Sequence, residues 1–123
     1  MEKEIIFKDL TEKVIGCFYE VYNELGGGFL ESVYEKSLMV EFIKRGLEAE
    51  SQKRLDVFYK EEIVGDFRAD IIVEDRVLIE IKAVNRLIPI HEAQLLNYLK
   101  ATGIPVGFLV NFGKTVDFMR KVF

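Results

Sequence analysis

The sequence predicts an α/β domain, a mixed central sheet with an antiparallel meander, flanked by helices. Three observations predict it. Apolar residues recur at steps of three and four as far as about residue 45, and the period then drops to two between about residues 50 and 84. One further helical stretch separates that region from two closing strands. At 123 residues the chain is near the usual size of one domain, so residues 1–123 are expected to share one core without a second module.

The first helix is expected over Lys8 to Leu25, where Leu10, Val14, Phe18, Val21 and Leu25 form an apolar stripe. Gly26-Gly27-Gly28 interrupts it, because three glycines cannot continue a helix cheaply and permit a sharp exit. A second helix is expected from near Phe29 to Arg45, with Leu30, Val33, Leu38 and Phe42 on its apolar side and Gly46 as its C-cap. From about Glu50, Leu55, Val57 and Tyr59 alternate with Asp56, Phe58 and Lys60, the pattern of a strand. Glu61-Glu62 should turn the chain into a second strand, Ile63 to Val73, with a bend or bulge at Gly65. Glu74-Asp75 turns it again into Arg76 to Val84. A third helix, Ile90 to Thr102, follows Pro89 and stops at Gly103 and Pro105. Val106 to Phe112 and Thr115 to Val122 close the sheet, giving the order α-α-β-β-β-α-β-β.

Composition narrows the function. Half the residues are hydrophobic and 31% are charged, which excludes disorder as the bulk state. No apolar run approaches a membrane span, and residues 1–7 lack the basic and apolar regions of a signal peptide, so a cytoplasmic protein without membrane contact is expected. One cysteine and one histidine leave no Cys/His zinc set, so any metal must be held mainly by oxygen. Cys17, among apolar helical positions, reads as a small core residue, and His91, near a helix start, as a surface or capping residue. Phe108, Phe112, Phe118 and Phe123 read as core or dimer contacts. The net charge of −4 argues mildly against coating of duplex DNA. Lys53, Arg54, Arg68, Lys82, Arg86, Arg120 and Lys121 are nevertheless expected to gather into a basic rim.

The strongest chemical constellation is Asp70 followed by Glu80-Ile81-Lys82. Glu80 and Lys82, two apart on a strand, share a face of an otherwise apolar segment, where unneeded charge is costly. Asp70 lies on the preceding strand. Two carboxylates on neighbouring strands can ligate a hard cation such as Mg²⁺ or Mn²⁺, and an adjacent lysine can orient water or offset charge on a phosphate. Register makes this testable. A two-residue loop at Glu74-Asp75 would oppose Val73 with Arg76 and Asp70 with Ile79, on the wrong face. The proposal therefore requires an odd-length connection or a bulge. The bland alternative is a surface salt bridge on a half-exposed sheet. Gln94 and Tyr98, four apart on the third helix, form a second element able to hydrogen-bond a nucleotide, a water or the lysine. Glu31, near a helix N-terminus favoured by the macrodipole, is a third, with Glu35 one turn on as a competing carboxylate.

Gly28-Phe29-Leu30-Glu31-Ser32-Val33-Tyr34 resembles the signature of the GxxExxY family, a branch of the PD-(D/E)XK nuclease superfamily. The resemblance continues through Phe67-Arg68-Ala69-Asp70, Glu80-Ile81-Lys82-Ala83 and Gln94-Leu95-Leu96-Asn97-Tyr98. It implies a restriction-endonuclease-like core. Asp70 and Glu80 would be metal ligands with the Ile81 carbonyl as a third, Lys82 the catalytic lysine, and Glu31 the helix-borne acid near the metal. Gln94 and Tyr98 would be supporting groups. The superfamily's proline before the aspartate is replaced by Ala69.

The function expected is metal-dependent phosphodiester hydrolysis of nucleic acid, DNA ahead of RNA, with Mg²⁺ or Mn²⁺ as cofactor. The rival is a non-catalytic nuclease-fold module binding nucleic acid or a protein partner. A homodimer fits either, because so small a chain has little surface for recognising a duplex.

Overall fold

The computed structural model describes residues 7–123; residues 1–6, most of the segment read for a signal peptide, lie outside the described residues. Apolar periodicity produces helix α1, Lys8–Leu25, which buries Val14, Cys17, Phe18 and Val21 along one stripe. Helix α2 covers Glu31–Lys44, starting two residues later than the periodicity suggests. Gly28 has φ 101°, a conformation that L side chains rarely adopt, and Leu30 is extended, so the chain turns before it coils. Tyr34 secures that turn. Its buried hydroxyl donates to the Gly26 carbonyl at 2.6 Å and accepts from the Phe29 N–H at 3.3 Å.

Strands β1 (Ala49–Tyr59), β2 (Glu62–Val73), β3 (Val77–Lys82), β4 (Val106–Phe112) and β5 (Val116–Val122) form one sheet in sequential order. Strands β1 to β3 are an antiparallel meander, β3 and β4 are parallel, and β5 returns antiparallel to β4. Helix α3, Pro89–Thr102, is the crossover that a parallel pair needs. The first hairpin turns at Lys60 and Glu61, both left-handed, one residue before the turn expected from sequence. Val64 is the extra residue of a bulge beside Gly65, between the pairs Val57–Gly65 and Phe58–Ile63.

Two apolar layers sandwich the sheet. Helices α1 and α2 pack against Ile71, Val73, Val77, Ile79, Ile81, Val106, Phe108, Val110 and Phe112. Helix α3 covers a smaller group, Ala69, Ile72, Leu78 and Leu109, with its own Leu95 and Leu99. Gly107 makes this second contact possible, since a Cβ there would lie 2.9 Å from both leucine side chains. Pro89 opens α3, and the His91 ring nitrogen accepts the Ile88 N–H at 3.2 Å, so the lone histidine is a cap. Cys17 is fully buried, and burial pushes its thiol up to about 11, which leaves it a core residue. Phe108 and Phe112 are in the core and Phe118 packs on Phe18, whereas Phe123 is exposed. No described helix is long and apolar enough to cross a membrane.

Candidate active site

The register expected for the second hairpin is present. Strands β2 and β3 pair Val73 with Val77, Ile72 with Leu78 and Ile71 with Ile79, so the connection is the three residues 74–76. Glu74 and Asp75 are left-handed there. The turn is tied to the chain entering β1: the Glu74 N–H donates to the Glu48 carbonyl at 2.8 Å, and the Glu48 N–H donates to the Glu74 carboxylate at 2.6 Å. Continuing that register sets Asp70 across from Glu80.

At this point the strands stop pairing through main chain alone, and the two carboxylates take over. The Ile81 N–H donates to Asp70 Oδ2 at 2.7 Å, and the Asp70 N–H donates to Glu80 Oε2 at 3.2 Å. Each acid thus accepts a donor from the other's strand. Lys82 follows on the Glu80 face, half-buried, and its charge favours the ionised form of both acids. Buried Asn111 on β4 holds the chain beyond it, accepting the Val84 N–H and donating to the Val84 carbonyl, both at 2.9 Å.

Electrostatics single out the same pair. Burial, followed by the Asp70 charge, pushes Glu80 up to about 8, against the opposing pull of the Asp70 N–H and Lys82. Burial also raises Asp70 despite hydrogen bonds from Ile81 and Gln52. Neither acid, nor Lys82, forms a salt bridge among the described residues. Two half-buried carboxylates held by no salt bridge among the described residues are costly, and a hard cation would relieve both. The donors present therefore fit such an ion. Among the described residues no set of three or more acidic, histidine or cysteine side chains gathers tightly enough to hold one alone. A main-chain carbonyl, water or substrate oxygens would complete the shell, as suits Mg²⁺.

A family model described as the PD-(D/E)XK nuclease superfamily matches residues 8–122. The chain belongs to this superfamily. Among solved structures, the crystal structure of SSO0001 matches with a TM-score of 0.57 at 19% identity, over 75% of this chain and 50% of that one. This chain therefore spans half the length of SSO0001, and the likeness concerns the fold, a restriction-endonuclease-like α/β arrangement. No curated protein gives a significant match. PD-(D/E)XK nucleases generally use divalent metals, in keeping with the oxygen donors found here.

The other residues singled out in this PD-(D/E)XK chain are placed unequally. Tyr98 is half-buried, with its ring stacked on Phe67 at 4.0 Å, and burial and the charges of Glu80 and Asp70 raise its hydroxyl. Gln94, one turn earlier, is exposed and hydrogen-bonds to no described residue. Glu31 is exposed at the first position of α2, and its charge reaches Glu80 and Glu35. Glu35 is the α2 acid that hydrogen bonding links to Asp70, through Gln52, whose amide donates to Glu35 at 2.9 Å and to Asp70 at 3.2 Å. Sequence reasoning missed Gln52 because it sits in the polar run Glu50-Ser51-Gln52-Lys53, which carries no periodic signal. Three of the seven residues of the expected basic rim are ion-paired. Lys53 pairs with Glu50 and Asp75, Arg54 with Asp56 and Asp66, and Lys121 with Glu92.

Proposed function

We propose that this chain is a Mg²⁺- or Mn²⁺-dependent nuclease of the GxxExxY branch that hydrolyses phosphodiester bonds, with DNA taken ahead of RNA as substrate. The observation that carries the reading is the register of β2 and β3, which sets Asp70 across from Glu80 with Lys82 two residues on. Asp70 and Glu80 hold the cation, with the Ile81 carbonyl as a third oxygen donor. The cation supplies Lewis acidity and offsets charge on the phosphoryl group. Lys82 orients the attacking water and faces the developing phosphate charge. Glu31 assists as the helix-borne acid near the cation, and Gln94 and Tyr98 align the site. The buried thiol of Cys17 suits the cytoplasm, and residues 1–123 are read as one nuclease-like domain.

The test is cleavage of labelled single- and double-stranded DNA and RNA with Mg²⁺, Mn²⁺ or EDTA, beside identically purified Asp70→Ala and Lys82→Ala proteins. Cleavage abolished by EDTA and by either substitution is the expected result. A folded protein that neither cleaves nor binds Mn²⁺ would refute it. The ion pairs of Lys53, Arg54 and Lys121 favour the rival, a non-catalytic nuclease-fold module binding nucleic acid or a protein partner. Salt-sensitive binding of nucleic acid, unaffected by Asp70→Ala and without cleavage, would establish that rival.

A further inference from the structure

We infer that Gln52 is a positioning residue for the Asp70 carboxylate, an inference that rests on the metal-site reading above. The strongest sign is a change of phase in the sheet. Side chains of a regular strand alternate, so odd-numbered residues of β1 should share one face, and likewise those of β2. They do not. Ala49 packs with the α1–α2 layer but Leu55 with the α3 layer. Ile71 and Val73 belong to the α1–α2 layer but Ala69 to the α3 layer. Both inversions fall between the pairs Ser51–Ile71 and Lys53–Ala69, where Gln52 and Asp70 lie across from each other.

Gln52 has φ 55°, the left-handed region that a residue with a Cβ adopts only when its surroundings impose it. Arg68, on the neighbouring strand, donates to its carbonyl at 3.0 Å. The side chain then points one amide nitrogen at two acids, Asp70 Oδ1 and Glu35 Oε1. With Oδ2 already held by the Ile81 N–H, the Asp70 carboxylate is hydrogen-bonded at both oxygens, which restrains rotation about its last bond. Each oxygen keeps a lone pair for a cation. Gln52 therefore restrains the plane of a metal ligand, as outer-shell hydrogen bonds to ligating carboxylates do in other metal sites.

Gln52→Gly and Gln52→Asn test this, because both residues tolerate left-handed backbone while neither carries the amide to Asp70. Titration of Mn²⁺ by calorimetry should show affinity weakened about tenfold or more in both variants. In cleavage assays kcat should fall with KM nearly unchanged, and the thermal midpoint without metal should stay close to that of the parent. A Gln52→Gly protein with parental Mn²⁺ affinity and kcat would overturn the inference, reducing Gln52 to a strained link. Asp70→Ala in the same titrations separates the two failures. Loss of Mn²⁺ binding in Asp70→Ala with none in Gln52→Gly rejects only the role of Gln52. A parent protein without Mn²⁺ affinity, or one matched by Asp70→Ala, rejects the metal site and this inference with it.

Discussion

The two edges of β3 are built on opposite principles. Along its β4 edge, six consecutive residues from Val77 to Lys82 pair in parallel register with Val106 to Asn111, and β4 is buried throughout. Along its β2 edge only three antiparallel pairs form before Asp70 and Glu80 take over with side-chain hydrogen bonds. The first edge is fully zippered and apolar apart from Glu80 and the last pair, Lys82–Asn111. The second gives up main-chain pairing where the acids need to be. On the proposed function, stability and chemistry would occupy opposite sides of one six-residue strand, and a substitution on either side should reveal which it serves.

The largest effect is expected from the zippered edge. Phe108→Ala removes a fully buried ring that meets Phe18 edge-on at 5.5 Å, and should cost about 3–5 kcal/mol in denaturant unfolding. If cleavage per folded molecule also collapsed, the division between the edges would be wrong. Asp70→Ala is the mirror experiment. It should lower cleavage about a hundredfold or more while leaving the unfolding midpoint without metal unchanged or higher.

Glu80 sharpens the comparison through pH. Folded, it holds its proton up to about pH 8, against 4.5 as the ordinary value. Within that window the native state binds more protons than the unfolded chain, so stability falls as pH rises. Unfolding in EDTA should therefore give a less stable protein at pH 8 than at pH 6, by on the order of 1–3 kcal/mol. Glu80→Gln should flatten that dependence and abolish cleavage together. Added Mn²⁺ should restore stability to the parent at pH 8 and do nothing for the variant. The smallest effect concerns the α3 contact. Gly107→Ala forces Leu95 and Leu99 outward and should cost about 1–3 kcal/mol, with Tyr98 carried along on the same helix. A drop in kcat beyond the loss of folded protein would show that α3 placement also serves the site.

Much of this molecule is legible in its residue order. The α1 stripe locates Lys8–Leu25 because a period of 3.6 sustained over eighteen residues has few competing readings. The β4 run Val106–Phe112 reads as a strand for a simpler reason, an apolar block between Pro105 and Gly113. Asp70, Glu80 and Lys82 stand out because charge in an apolar strand is costly. The odd-length turn follows from requiring two acids to share a face. Where α2 begins was not legible, since Tyr34 reads as an ordinary helix residue until its hydroxyl is seen closing the glycine turn.

Local sequence therefore determined the order of elements, most of their limits and the identity of the central acids, because periodicity and the cost of buried charge act through near neighbours. Tertiary structure alone decided the rest. Gln52 and Asp70 are eighteen residues apart and Gln52 and Glu35 seventeen, and no spacing rule joins them. Only the folding of β1 between α2 and β2, with both strands changing phase at one point, brings a polar strand residue to the oxygen of Asp70. Hydrogen bonds depend on distances in space, and those are settled only when the sheet and its covering helices pack together.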